Sequence, residues 1–136
     1  MISYEEFSKV ELRVGKIISA EPVPKSDKLL KLSVDFGLIP QVPEPAGEID
    51  EDVPVGTNSE PVPESREIRQ ILSGIAKYFP DASSLVGKKC MFVTNLAPRM
   101  MMGMESNGMI LAVSTDDGRF SLLEPNDSIP EGTKAK

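Results

Sequence analysis

The stretch from residue 95 to residue 109, N-L-A-P-R-M-M-M-G-M-E-S-N-G-M, concentrates side chains that could bind a ligand. It holds a polar turn, the guanidinium of Arg99, a methionine cluster and a glycine pair, Gly103 and Gly108, at G-x-x-x-x-G spacing. Apolar, strand-like runs precede and follow it. A loop held between two strands is a common place for a binding surface on a small β-domain. We therefore expect binding to centre on this stretch.

The composition argues against the common enzyme and metal chemistries. The 136 residues include no histidine, which is the commonest general base and the commonest metal ligand. Zinc sites of the Cys/His kind and the usual nucleophilic triads are thereby excluded. Carboxylates or lysines could still catalyse a reaction, but no spacing in the sequence calls for it. The sequence predicts no catalytic residue, no metal ligand and no cofactor.

Length and apolar patterning predict one domain over residues 1–136, with a single hydrophobic core. No apolar run approaches the roughly 18–20 residues that span a membrane. The start of the chain also lacks the basic and apolar regions of a signal peptide. Cys90 is the only cysteine and lies in an apolar run, as is typical of a buried, reduced thiol. We expect a cytoplasmic protein without a membrane partner.

Strands must position the 95–109 stretch, and alternation of apolar residues predicts several of them. The clearest is 30–36, with Leu30, Leu32, Val34 and Phe36 on one face. An earlier strand around Val10–Val14 is interrupted at Gly15, where a bulge is predicted. Further strands are predicted at 66–74, 88–96, 109–113 and 120–123, with helical turns at 3–7, 75–79 and 81–85. This order predicts an all-β fold with a short helix, a five-stranded oligonucleotide/oligosaccharide-binding (OB) barrel with C-terminal additions.

An acidic, proline-rich insertion is predicted at about 38–65, between the second and third strands. It carries seven acids, six of the twelve prolines and no lysine or arginine. The rest of the chain has 14 acids against 15 bases, so the net charge of −6 comes from this one segment. The body can therefore present a basic face. The insertion is either a tolerated loop or an acidic strap that competes with an anionic ligand for that face.

Six ordered motifs resemble one family. They are F-x-K-V-E-L-R-V-G-K-I (7–17), S-D-K-L-L-K-L-x-V-D-F-G (26–37), R-Q-I-L-S-G-I (69–75), L-V-G-K-K (85–89), N-L-A-P-R (95–99) and S-N-G-M-I-L-A (106–112). Together they resemble the tRNA-binding domain found at the C-terminus of bacterial methionyl-tRNA synthetase, in free-standing small tRNA-binding proteins and in endothelial monocyte-activating polypeptide. The resemblance covers nearly all of the chain except 38–66. Two departures are the acidic insertion and Asn107, which stands where family members usually have Gln or Glu.

The resemblance implies a non-catalytic, cytoplasmic module that binds tRNA by its backbone and shape. It implies a homodimer, and a protein that is either free-standing, as a start at Met1 suggests, or the C-terminal part of a methionyl-tRNA synthetase. Cations would meet phosphates, and Ser106 and Asn107 would meet a base edge or a ribose 2′-OH beside the bare backbone of Gly108. Asn95 is explained equally well as a turn residue. The predicted tRNA-binding residues are Lys16, Lys31, Arg69, Lys88, Asn95, Arg99, Ser106, Asn107, Gly108 and Met109.

Two alternatives stay open at this point. The methionines between residues 100 and 109 are predicted to fill core gaps or a subunit contact, and the alternative is an adaptable lip for bases or peptide. An export-chaperone-like branch of the same fold shares most of the motifs, so a dimeric peptide-binding chaperone is the alternative function.

Overall fold

The fold is built on five antiparallel strands around one apolar core. The computed structural model describes residues 1–39 and 65–136. In chain order the elements are α1 (Tyr4–Phe7), β1 (Leu12–Pro22), β2 (Leu30–Leu38), β3 (Arg66–Ser73), β4 (Lys89–Val93), β5 (Arg99–Met101), β6 (Met104–Ser106), β7 (Met109–Ile110), β8 (Ala112–Ser114) and β9 (Phe120–Leu122), with 3₁₀ helices at Ala76–Tyr78 and Ala82–Leu85. The main sheet has the order β3-β2-β1-β4-β7, and β5–β6 and β8–β9 form two separate hairpins.

β2 supplies the centre of the core. Its alternating residues Leu30, Leu32, Val34 and Phe36 are each at most 1% exposed, as the period of two predicts. The Phe36 ring packs edge-on against Phe92 of β4, with 5.3 Å between the ring centroids. The predicted fold class, all-β with a short helix, five strands and C-terminal additions, is confirmed.

Gly15 has a packing role instead of the bulge predicted for it. The register shift in β1 lies between Ile17 and Ser19. At Gly15 an added Cβ would lie 2.5 Å from Val34 Cγ1 and 2.8 Å from the Phe36 ring. The break in the apolar pattern at Gly15 therefore marks a close approach of β1 to the core.

Cys90 is buried, as predicted, and it is a free thiol. Burial raises the pKa of Cys90 to about 12, so the thiol stays protonated near neutral pH and is not a nucleophile there. The predicted turn at 3–7 is α1, whose N-cap Ser3 accepts a hydrogen bond from the Glu6 amide at 3.2 Å. None of the helices in the two described ranges is long and apolar enough to cross a membrane.

Candidate functional site

A cleft of about 400 Å³ lies between the end of β3 and the chain that follows β4. Residues 72–74 form one wall. Leu96, Ala97, Arg99 and Met101 form the opposite wall. The walls are mainly apolar, and the exposed Arg99 adds one positive charge.

Four of the predicted binding residues line this cleft: Arg99, Ser106, Gly108 and Met109. Gly108 is required there by the packing around it. A Cβ on Gly108 would lie 3.0 Å from the Ile71 side chain and 3.1 Å from the Val93 carbonyl oxygen, at a φ of +152°. The bare backbone at Gly108 thus lets the loop sit directly on the core, beneath the cleft.

The β5–β6 hairpin, which we call the methionine hairpin, was predicted only as a loop. Its turn residues Met102 and Gly103 both have positive φ, 52° and 78°. For Met100, Met102 and Met109 the prediction that the methionines fill core gaps is wrong, because these residues are exposed, whereas Met101 and Met104 are half-buried. The exposed fractions are 66% for Met100, 55% for Met102 and 46% for Met109. Their proposed use in a subunit contact stays a prediction.

Ser106 attaches the methionine hairpin to β3. Its hydroxyl accepts a hydrogen bond from the Leu72 amide at 3.0 Å and donates one to the Gly108 carbonyl at 3.2 Å. Next to it, the Asn107 amide donates to the Gln70 carbonyl at 2.9 Å. Ser106 is 4% exposed. Its hydroxyl is therefore occupied in fixing one side of the cleft.

Arg69 holds the same loop from below. Its Nη1 donates to the Thr94 carbonyl at 2.6 Å and to the Asn107 carbonyl at 3.3 Å. Its Nε lies 2.9 Å from a Glu67 carboxylate oxygen. The guanidinium thus joins the end of β4 to the Asn107 turn, which are the two chain segments on either side of the methionine hairpin.

Glu67 joins Arg69 to a second arginine, Arg13. The same Glu67 oxygen lies 2.9 Å from Arg13 Nη1, and both guanidinium carbons lie over the Phe36 ring, 5.4 and 5.5 Å from its centroid. Glu11 adds a fourth charge, 3.7 Å from Arg13. We call Glu11, Arg13, Glu67 and Arg69 the charged cluster. It covers one end of the core with paired charges instead of apolar side chains.

Asn95 ties the start of the chain to the end of β4. Its Oδ1 accepts from the Glu11 amide at 2.8 Å, and its Nδ2 donates to the Lys9 carbonyl. Beside it the Thr94 hydroxyl donates to the Glu11 carboxylate at 2.7 Å. That hydrogen bond is the main reason why the pKa of Glu11 is lowered from its ordinary value.

The three predicted lysines do not line the cleft. Lys31 pairs with Glu21 at 3.5 Å and lines a hollow beside Met104 of the methionine hairpin. Lys88 pairs with Glu124 at 3.4 Å. Lys16 lies in β1, in register with Asp35 and Lys89. Of the three, Lys31 is therefore the one beside the hairpin.

Charge differs between the two ends of β3. At the Arg66 end, the Arg66 guanidinium binds Asp35 at 2.7 Å and Glu131 at 3.3 Å, next to the charged cluster. At the Ser73 end, the Lys28 carbonyl accepts from the Ala76 amide, which places the 24–29 loop beside the cleft. That loop holds two lysines, and Lys77 follows it in the 3₁₀ helix; Asp27 is the acid among them. The cleft lies at the end with the excess of exposed cations.

The acidic insertion leaves the sheet at the other end. The Ile39 amide donates to the Ser65 carbonyl at 2.9 Å, so the described chain enters and leaves the insertion beside Arg66. Ser73 lies seven positions after Arg66 in β3, about 23 Å at ~3.3 Å per residue. Residues 40–64, and with them the hypothesis of an acidic strap, lie outside the described residues.

The sequence did not indicate the apolar wall or the charged cluster. Leu96 and Ala97 belong to the N-L-A-P-R motif, which marked the segment but did not indicate that these two residues form an apolar wall. Arg13 alternates with apolar residues in its predicted strand, and no pattern singled out Glu67. Within residues 1–39 and 65–136 there is no group of three or more Cys, Asp or Glu side chains that could hold a metal ion.

Comparison with protein families and with known proteins gives one consistent result. The family model described as "putative tRNA binding domain" matches residues 62–134. The methionine–tRNA ligase of Methanospirillum hungatei is 44% identical over 135 residues, which is 99% of this chain and 16% of the ligase. This chain therefore spans about a sixth of the length of that relative.

Two solved structures share the fold over its whole length. A MetRS-related protein from Pyrococcus horikoshii is 31% identical with a TM-score of 0.74, over 100% of this chain and 98% of that one. The CsaA chaperone protein from Picrophilus torridus is 26% identical with a TM-score of 0.71, over 100% of both chains.

Proposed function

The chain belongs to the tRNA-binding domain family, and from that premise we propose that it is a non-catalytic module that holds structured RNA, with tRNA as its partner. The observation that carries the proposal is Arg99, an exposed guanidinium in the cleft with no hydrogen bond or ion pair inside the described chain. Other cations surround the same end of β3. Phosphates are the groups that such cations meet.

Binding of tRNA across a salt series tests this proposal. Arg99→Gln removes one phosphate contact, so we expect about fivefold weaker binding at low salt and a salt slope smaller by about one. Arg119→Gln is the matched control, because Arg119 is exposed but pairs with Asp117 on the β8–β9 hairpin, away from the cleft. No tRNA binding by the unaltered protein at low salt would contradict the proposal.

The same relatives support a proposal about the larger protein context. We propose that the module serves aminoacylation of tRNA by methionyl-tRNA synthetase in the cytoplasm, either as part of the enzyme or as a separate chain that raises its tRNA affinity. Adding the chain to a synthetase that lacks this domain, and measuring the KM for tRNA, distinguishes a productive association from tRNA binding alone.

We also propose a homodimer, formed through the N-terminal segment. Residues 1–10 are all exposed in the single chain, and they include Ile2 (66%), Tyr4 (79%) and Phe7 (44%). The Asn95 side chain fixes the end of this segment against β4, so the apolar residues form a defined surface. A second copy would bury them.

A peptide-binding chaperone is the second candidate. The exposed methionines favour it, because flexible thioether side chains adapt to varied apolar surfaces, and one solved neighbour is a CsaA chaperone. Saturable binding of an unfolded basic peptide, without a tRNA shift at low salt, would support this function over tRNA binding.

A further inference from the structure

We propose that the cleft holds one unpaired nucleotide of the bound RNA, with its base against the apolar walls and a neighbouring phosphate at Arg99. This inference rests on the proposed tRNA binding and specifies what the RNA must present. The proposed function involves recognition of the RNA backbone and shape, and this inference adds a contact with one base.

The walls suit the face of a base. Leu96, Met101 and Met109 present apolar or thioether surface around the cleft, and a methionine sulfur makes favourable contacts with an aromatic ring. Leu72, which is 5% exposed, closes the β3 side. At about 400 Å³ the cleft falls in the range of roughly 300–1,000 Å³ that small-molecule sites occupy. A nucleotide that has left the stack can enter a site of this size, whereas a duplex cannot.

The charges favour a nucleotide over a peptide side chain. Arg99 shares the cleft with the apolar residues, so an occupant needs an apolar face and a negative charge close together. A nucleotide has both. The carbonyl oxygen of Lys28 lies 4.0 Å from the Cβ that Gly74 would carry, so the 24–29 loop, which holds two lysines, lies beside the Gly74 wall of the cleft. A basic peptide would be repelled by these same groups.

The cleft is held ready for its occupant. Ser106, Asn107 and Arg69 fix one side of it through hydrogen bonds to β3 and to the end of β4. Gly108 packs on Ile71 and Val93. Because the β3 side belongs to the main sheet and the 106–108 side is bonded to it, binding requires little rearrangement of the backbone on these two sides.

The test compares two RNA probes, a blunt duplex and the same duplex with one bulged adenosine. We expect about tenfold tighter binding of the bulged RNA, the factor expected for one base contact. Met109→Gln should reduce this preference to less than about threefold. Met102→Gln is the matched control, since Met102 is comparably exposed at the hairpin turn but does not line the cleft; it should keep the preference. Leu96→Asn, at a 49% exposed residue, provides a second variant of the wall if Met109→Gln does not fold.

The outcomes separate this inference from the proposed function. Equal binding of both probes together with normal tRNA binding would overturn the inference and leave tRNA binding in place. An equal loss of affinity for both probes in Met109→Gln would also overturn it, because the contact would then not depend on an unpaired base. Failure to bind any RNA would overturn both.

Discussion

The Ser106 hydroxyl oxygen lies 3.0 Å from the Leu72 amide nitrogen and accepts its hydrogen bond, although both residues are at least 95% buried. The methionine hairpin therefore depends on a side chain at a point where a continuous sheet would use a carbonyl. Ser106 therefore contributes to the cleft by fixing the position of the methionine hairpin, and Arg99 contributes a positive charge.

Ser106→Ala should lower the free energy of unfolding by about 1–3 kcal/mol, because it leaves the Leu72 amide buried without a partner. Urea unfolding measures the change. Ser114→Ala, at an exposed residue of β8, is the control and should stay within about 0.5 kcal/mol of the unaltered protein. An unchanged urea midpoint for Ser106→Ala would show that the hydroxyl does not hold the hairpin.

Arg69→Lys should destabilise the Asn107 turn while keeping the charge. A lysine ammonium cannot reach the Thr94 and Asn107 carbonyls and the Glu67 carboxylate in the fixed geometry of a guanidinium. We expect a loss of about 1–3 kcal/mol in stability, together with faster amide hydrogen exchange at Asn107. If Arg69 instead served mainly as a phosphate contact, tRNA affinity would fall and the exchange rate at Asn107 would not change.

The period of two was sufficient to predict β2, because Leu30, Leu32, Val34 and Phe36 all face one core. In β3, by contrast, an apolar residue faces outward between two charged ones that face inward. Ile68 is 46% exposed, while the neighbouring Arg69 and Glu67 point inward, with side chains 26% and 24% exposed. The inversion is possible because Arg69 pairs with Glu67 and lies over the Phe36 ring. Contacts with side chains of other strands, here Phe36 of β2 and Arg13 of β1, leave no trace in local alternation.

Some of the cleft residues were predicted from family motifs, whereas β2 was predicted from its periodicity. Arg99, Ser106 and Gly108 stood in motifs whose order resembled a family, whereas Met101 had no pattern to assign it. The methionine hairpin has strands of three residues and a Met-Gly turn. Such short strands are below the length at which a period can be recognised, and the turn lacks the Asn-Gly pair that usually marks a hairpin.

Phe7→Asp should convert the proposed homodimer into a monomer. The Phe7 side chain is 44% exposed in the single chain, so the substitution should affect association more than folding. Sedimentation velocity across a concentration series measures the state of assembly. Val113→Asp, at a residue 54% exposed on β8, is the matched control and should leave the assembly unchanged. A dimer that persists in Phe7→Asp would place the contact elsewhere.

Thr94→Val should reduce stability in a manner that depends on pH through Glu11. The Thr94 hydroxyl is the main cause that lowers the pKa of Glu11 in the folded chain. A carboxyl whose folded pKa is lowered contributes stability that is present above its ordinary pKa of about 4.5 and is lost as the pH falls through the folded value. The difference in unfolding free energy between the unaltered protein and Thr94→Val should therefore be larger at pH 7 than at pH 3. In a Glu11→Gln background, which cannot ionise, the difference should be the same at both pH values. Urea unfolding of the four proteins at the two pH values forms the cycle, and a pH-dependent difference that persists without Glu11 would assign the effect to another group.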